Sequence, residues 1–149
     1  MHDCLVCDRI DLICRGENPY FVRETETGYV VIGDHQRIEG YTVFLCKEHA
    51  TELFHLEEGF RLKFMAEMAK VAQAASMAFH AEKMNYELLG AGRGLHMHWH
   101  LFPRRAGDTP TRGPVWRLPP EELNSCAPDA AKLAELKAAL ARALDAVGL

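Results

Sequence analysis

The sequence holds no run of about 18 apolar residues, so no transmembrane helix and no membrane partner are expected. Its first residues, Met1-His2-Asp3-Cys4, lack the basic start and apolar stretch of a signal peptide, and a cytoplasmic location is expected. There is no excess of positive charge either: 17 Lys and Arg stand against 21 Asp and Glu, a net charge of −4. That argues against a broad nucleic-acid-binding face but leaves room for a local phosphate pocket. Internal repeats and low-complexity tracts are absent. Five cysteines cannot all pair within one chain. In a reducing compartment such thiols serve as core residues, metal ligands or nucleophiles.

What is present suits one globular domain: 149 residues, 48% of them hydrophobic. Tyr20 to Arg23 alternates weakly, as an edge strand does. Gly28-Tyr-Val-Val-Ile-Gly33 and Gly40-Tyr-Thr-Val-Phe-Leu-Cys46 read as buried strands rich in β-branched and aromatic residues. From Glu57 to His80 the period changes. Phe60, Phe64, Met68, Val71, Ala75 and Phe79 mark one face of a long helix. Asn85 to Leu89 is a further short strand. Gly90-Ala-Gly-Arg-Gly94 follows as a flexible loop, so an antiparallel hairpin is expected with the strand after it. Ala106 to Pro120, with four prolines, is read as irregular, with Trp116 docked on the body of the protein. Leu133, Leu136, Leu140, Leu144 and Val147 make a C-terminal helical stripe. The expected fold is α+β: about five antiparallel strands, one long helix and a C-terminal helix.

The densest chemistry lies in His96-Met97-His98-Trp99-His100. In a strand, alternate side chains share a face, so the three imidazoles line up together. Met97, Trp99 and Leu101, with Phe102 read alongside them, anchor the other side. Three titratable rings in a row make a poor core and a good site for metal, phosphate or covalent catalysis. Neutral imidazole can attack phosphorus, and its neighbours can donate to phosphoryl oxygens.

His-x-His-x-His with apolar spacers resembles the signature of the histidine triad (HIT) superfamily. The run from His96 through Pro103-Arg104-Arg105 to Asp108 is similar to its dinucleoside polyphosphate hydrolases. The similarity extends over about residues 4 to 117, taking in Lys83 to Gly90 and Gly113-Pro-Val-Trp116. The resemblance implies a HIT domain over 1–117, with 118–149 as a C-terminal helical extension of the same domain. It implies a half-barrel sheet with one main helix, and a homodimer in which two sheets join. It further implies that His98 is a nucleophile that takes a nucleotidyl group from a purine nucleotide or dinucleotide, with His100 on the phosphate or leaving group.

Cys4-Leu-Val-Cys7 is a Cys-x-x-Cys pair, readable as two buried thiols, a redox pair or half of a zinc site. His49, after the strand ending at Cys46, is a candidate third ligand. Several HIT proteins and the related galactose-1-phosphate uridylyltransferases use such a pair, such a histidine and the first triad histidine. The resemblance therefore implies a structural Zn2+ held by Cys4, Cys7, His49 and His96.

The family also places an acidic or amide residue at the corner after the second strand to bind ribose hydroxyls. Asp34 stands there, with a turn-capping role as the alternative. Ile10, Phe21 and Ile32 are available for an apolar base slot, with core packing as their ordinary reading. The chain departs from the family twice. Tyr41 occupies a position where many members have histidine. Arg93 lies in the loop where others carry a glutamine, asparagine or serine; it can contact phosphate or face solvent. His35, His55 and His80 carry no functional expectation, and His2 is expected to be unstructured. A nucleotidyl transferase or phosphorylase, a nucleotide-binding module without turnover, and a catalytic zinc hydrolase using all three histidines are the competing readings.

Overall fold

The structure, a computed structural model, describes residues 3–111 and 113–149. The expectation for His2 lies outside them. Five strands form one antiparallel sheet in the order β1-β2-β3-β5-β4. They are β1 (Phe21–Glu24), β2 (Gly28–Ile32), β3 (Thr42–Cys46), β4 (Lys83–Glu87) and β5 (His98–Arg104). Both β2 and β3 are buried along their whole length, as their near-continuous apolar sequences require of strands covered on both faces.

Two long helices cover one face. The first, α2 (Glu58–Ala78), buries the expected stripe of Phe64, Met68, Val71 and Ala75, and its rings stack: Phe64 lies 5.1 Å from Phe44 of β3. The C-terminal α4 (Ala130–Ala146) is capped by Asp129, whose side chain accepts from the Lys132 amide at 2.8 Å. It lays Leu133, Leu136, Leu140 and Leu144 against the same core as α2. The α+β architecture therefore stands as the strand and helix periodicities predict. Among the described residues no helix is long and apolar enough to cross a membrane.

The other face carries the functional residues. It is covered by an N-terminal helix, α1 (Leu5–Cys14), and by a C-terminal turn, α3 (Pro120–Asn124). Phe102 belongs to this face and not to the one assigned from sequence. It lies beneath Tyr41 with ring centroids 4.2 Å apart, because position 102 keeps the alternation of His98 and His100.

The loop between β2 and β3 is fastened from several sides. The Gln36 amide donates to the carbonyls of Gly33 and Tyr41, both at 3.1 Å, and its oxygen accepts from the Gly40 amide at 2.8 Å. Arg37 pairs with Glu122 of α3 at 2.6 Å. Gly40 has φ +90°, and a Cβ there would meet the Phe79 ring at 2.3 Å. Only glycine fits both the left-handed backbone and the close packing. This fastening sets Asp34, His35 and Tyr41 along one wall.

Candidate functional site

Helix α1 begins at the Cys-x-x-Cys pair. Cys4 is its N-cap, and its sulfur accepts from the Cys7 amide at 3.4 Å. Backbone bonds from Cys46 N to Met97 O (3.1 Å) and Met97 N to Ala50 O (2.9 Å) tie the chain after β3 to the start of β5. These bonds bring the His49 and His96 rings together, centroids 4.8 Å apart.

The result is a Cys2His2 cluster of Cys4, Cys7, His49 and His96, whose ligand atoms all lie within 4.8 Å of one another. Nδ1 of His96 is 3.7 Å from Cys4 Sγ and 3.5 Å from Cys7 Sγ, and Nδ1 of His49 is 3.1 Å from Cys7 Sγ. A tetrahedral zinc with Zn–S about 2.3 Å and Zn–N about 2.0–2.1 Å spaces S and N ligands about 3.6 Å apart. The donor set and its spacing fit a structural metal ion such as Zn2+. Nε2 of His96 donates to the Cys46 carbonyl at 2.9 Å, the usual outer contact that aims the other nitrogen at a metal. Burial, then the neighbouring Cys4, Asp11 and Asp8, push the Cys7 thiol up to about 11, so a bound cation is what makes its thiolate available near neutrality.

Beside the cluster, β5 presents His98 and His100 into a cavity of about 320 Å³. Nδ1 of His98 lies 2.6 Å from the His96 carbonyl. A carbonyl only accepts, so Nδ1 carries the proton and Nε2 keeps its lone pair. The Tyr41 hydroxyl lies 2.5 Å from Nδ1 of His100. Burial, then His98, His35 and Arg9, depress His100 to about 3, so this ring is neutral across the physiological range.

Asp34 lies on the cavity wall, where Arg9 of α1 grips both its carboxylate oxygens. Arg93 is elsewhere. Its guanidinium pairs with Asp8 at 3.0 Å and with Asp3, pinning the glycine loop to α1. The apolar wall consists of Leu5, Val6, Val43 and Leu45. Ile32 is instead wholly buried on the α2 side of the sheet, and Ile10 and Phe21 pack around the second core cluster.

Two of the titratable residues lining the cavity had no functional expectation from sequence. Arg9 is one; the Val6, Ile10 and Ile13 spacing of a short amphipathic helix was the available signal for α1. His35 is the other. It is 8% exposed, packed at 4.9 Å from the Tyr41 ring and edge-on to Trp116, with both ring nitrogens lacking a partner among the described residues. Burial lowers its pKa. Trp116 docks as expected, 5.0 Å from His100. A second opening of about 370 Å³ shares His98, His100 and Trp116 and is lined on its far side by Leu89, Gly90 and Ala91.

Comparison with known proteins places this arrangement. The family model described as HIT domain matches residues 16–107. A search of curated proteins finds no significant match. Among solved structures, a histidine triad protein from Marinobacter aquaeolei is similar at TM-score 0.74 and 21% identity, over 86% of this chain and 90% of that one. A hypothetical histidine triad nucleotide-binding protein from Sulfolobus tokodaii is similar at 0.72 and 18%, over 96% and 93%. A Zn-bound histidine triad family protein from Mycobacterium smegmatis is similar at 0.64 and 25%, over 96% of each.

Proposed function

This chain belongs to the HIT-domain family, and on that premise we propose that its cavity binds a purine nucleotide whose α-phosphorus is attacked by His98. The observation that carries the proposal is the 2.6 Å bond from His98 Nδ1 to the His96 carbonyl. It leaves Nε2 as the lone-pair nitrogen of a ring that lines the cavity.

In this reading Nε2 of His98 forms a bond to phosphorus as the phosphoanhydride or phosphoramidate bond breaks. The leaving group departs with the bonding electrons, as a phosphate anion or, from a phosphoramidate, as an amine that takes a proton from solvent. The His98 ring then carries positive charge, which its Nδ1–H shares with the His96 carbonyl. Water attacks the nucleotidyl-histidine and gives up a proton to solvent, the P–N bond breaks with its electrons returning to Nε2, and a nucleoside monophosphate is released. His100 works beside the phosphate as a donor. Asp34 takes the ribose hydroxyls on lone pairs that Arg9 leaves open. The two openings that meet at His98 and His100 favour a substrate with groups on both sides of the scissile bond, such as a dinucleoside polyphosphate. A phosphate role for Arg93 would require it to leave Asp3 and Asp8.

Zinc in the Cys2His2 cluster would supply a rigid crosslink between α1, the segment after β3 and the start of β5. The zinc-bound Mycobacterium smegmatis relative supports that identity for the metal. A homodimer joined along β4 is part of the same reading, since β4 is a sheet edge with Tyr86 exposed on it.

A second reading is a nucleotide-binding module without turnover. It is favoured by the Arg9–Asp34 pair, which occupies part of the proposed ribose contact. A panel of diadenosine polyphosphates and adenosine phosphoramidate, with AMP binding measured in parallel, separates the two. The proposal expects turnover by the wild type, none by His98→Ala, and AMP binding by both. AMP binding with no turnover of any substrate supports the second reading. Nucleoside diphosphate formed when inorganic phosphate is offered identifies a phosphorylase.

A further inference from the structure

Tyr41 has been built into this cavity with some care. Its ring lies over Gly33, where a Cβ would meet it at 2.1 Å, and is stacked on Phe102 at 4.2 Å. The side chain is 4% exposed. Among the described residues its hydroxyl has one hydrogen-bond partner, Nδ1 of His100 at 2.5 Å.

The direction of that bond follows from satisfaction. If Nδ1 donated to the phenol oxygen, the hydroxyl proton of this 4% exposed residue would have no acceptor among the described residues. A buried donor without an acceptor is disfavoured, so the hydroxyl donates and Nδ1 accepts. Burial, which pushes the phenol pKa up and the imidazole pKa down, keeps both partners in these forms. A neutral imidazole that accepts at Nδ1 carries its proton on Nε2. His98 is the opposite case, with its proton on Nδ1 against the His96 carbonyl. Two neighbouring rings, centroids 4.7 Å apart, are therefore held in opposite tautomers.

We propose that Tyr41 is a positioning residue that locks His100 in the Nε2–H tautomer, so that His100 offers the phosphoryl group a hydrogen-bond donor and not a second lone pair. The inference rests on the reading of His98 as the nucleophile. A phenol can do this without itself gaining charge, which a histidine at the same position could not guarantee.

The test uses the full-length, zinc-loaded protein with 15N-labelled histidine, the His100 signals assigned through His100→Asn. The wild type is expected to show His100 protonated at Nε2 and His98 protonated at Nδ1. Tyr41→Phe, which keeps the stacking on Phe102, is expected to shift the His100 Nδ1 signal toward that of an unbonded nitrogen. It is also expected to lower kcat roughly tenfold to a hundredfold with KM nearly unchanged. A proton on His100 Nδ1 in the wild type, or a His100 signal unmoved by Tyr41→Phe, overturns the proposal whether or not the protein turns over nucleotides. An unchanged kcat in Tyr41→Phe, beside a dead His98→Ala, overturns the positioning role and leaves the nucleophile reading intact.

Discussion

The carbonyl oxygen of His96 lies 2.6 Å from Nδ1 of His98, while the ring of His96 faces Cys4 and Cys7. One residue thus gives its side chain to the metal-binding cluster and its backbone to the ring proposed as nucleophile. The cluster and the cavity are neighbours joined through a single peptide unit.

Loss of the metal is therefore expected to reach the cavity. Cys7→Ser removes one ligand of the Cys2His2 set. It should abolish tight zinc binding, lower Tm by roughly 10 °C and reduce turnover of any active substrate; a loss of about 3 kcal/mol gives a shift of that size. Metal analysis and thermal unfolding of the variant check this. Because burial pushes the Cys7 thiol up to about 11, zinc must displace its proton, and zinc affinity measured by competition should rise with pH.

Glu67 makes a separate prediction about stability. It is 6% exposed on α2, and its carboxylate accepts from Thr25 Oγ1 at 2.7 Å, from Thr27 Oγ1 at 2.5 Å and from the Thr27 and Glu26 amides. Burial opposes ionisation, but these four donors outweigh it and hold the carboxyl below its ordinary range. A depressed pKa contributes stability that is present at neutral pH and lost as pH falls through the folded-state value. Glu67→Gln should cost about 1–3 kcal/mol at pH 7. Urea unfolding should show the gap to wild type closing as the solution is acidified below the carboxylate range.

The turn around Gly40 should tolerate no side chain. With φ at +90° and Phe79 at 2.3 Å from an added Cβ, Gly40→Ala is expected to cost about 2–4 kcal/mol and to shift Tyr41. The thermal midpoint of the variant measures it.

His80 offers the reverse case. It follows α2 with φ +53°, and Ala81 N bonds Ser76 O at 3.1 Å, which closes a Schellman turn. His80→Gly should stabilise the fold by about 1 kcal/mol, seen as a higher urea midpoint at unchanged slope.

The sheet, α2 and α4 were legible because each segment buries a face whose period, two or about 3.6, is written locally. The ligand set Cys4, Cys7, His49 and His96 was legible through the resemblance to the histidine triad family; residue type and spacing alone offered the Cys4–Cys7 pair and His49 as a candidate. Other features depend on partners distant in sequence. His35 is packed among Tyr41, Phe102 and Trp116, and the last two come from distant parts of the chain. Asp34 reads locally as a ribose ligand or a turn cap, and its partner Arg9 comes from a helix 25 residues earlier. Helix α1 went unread because only Val6 is fully buried on it. Phe102 was assigned to the wrong face although strict alternation from His98 places it correctly.

The central claim, that Nε2 of His98 carries a nucleotidyl group during turnover, is tested most directly by rapid acid- or base-quenched mass spectrometry of the zinc-loaded protein mixed with a diadenosine polyphosphate. The account predicts one adenylyl group attached to the peptide containing His98 in the wild type, stable to base and labile to acid, and none in His98→Ala. Turnover by His98→Ala at the wild-type rate, or an adduct on another residue, would contradict it.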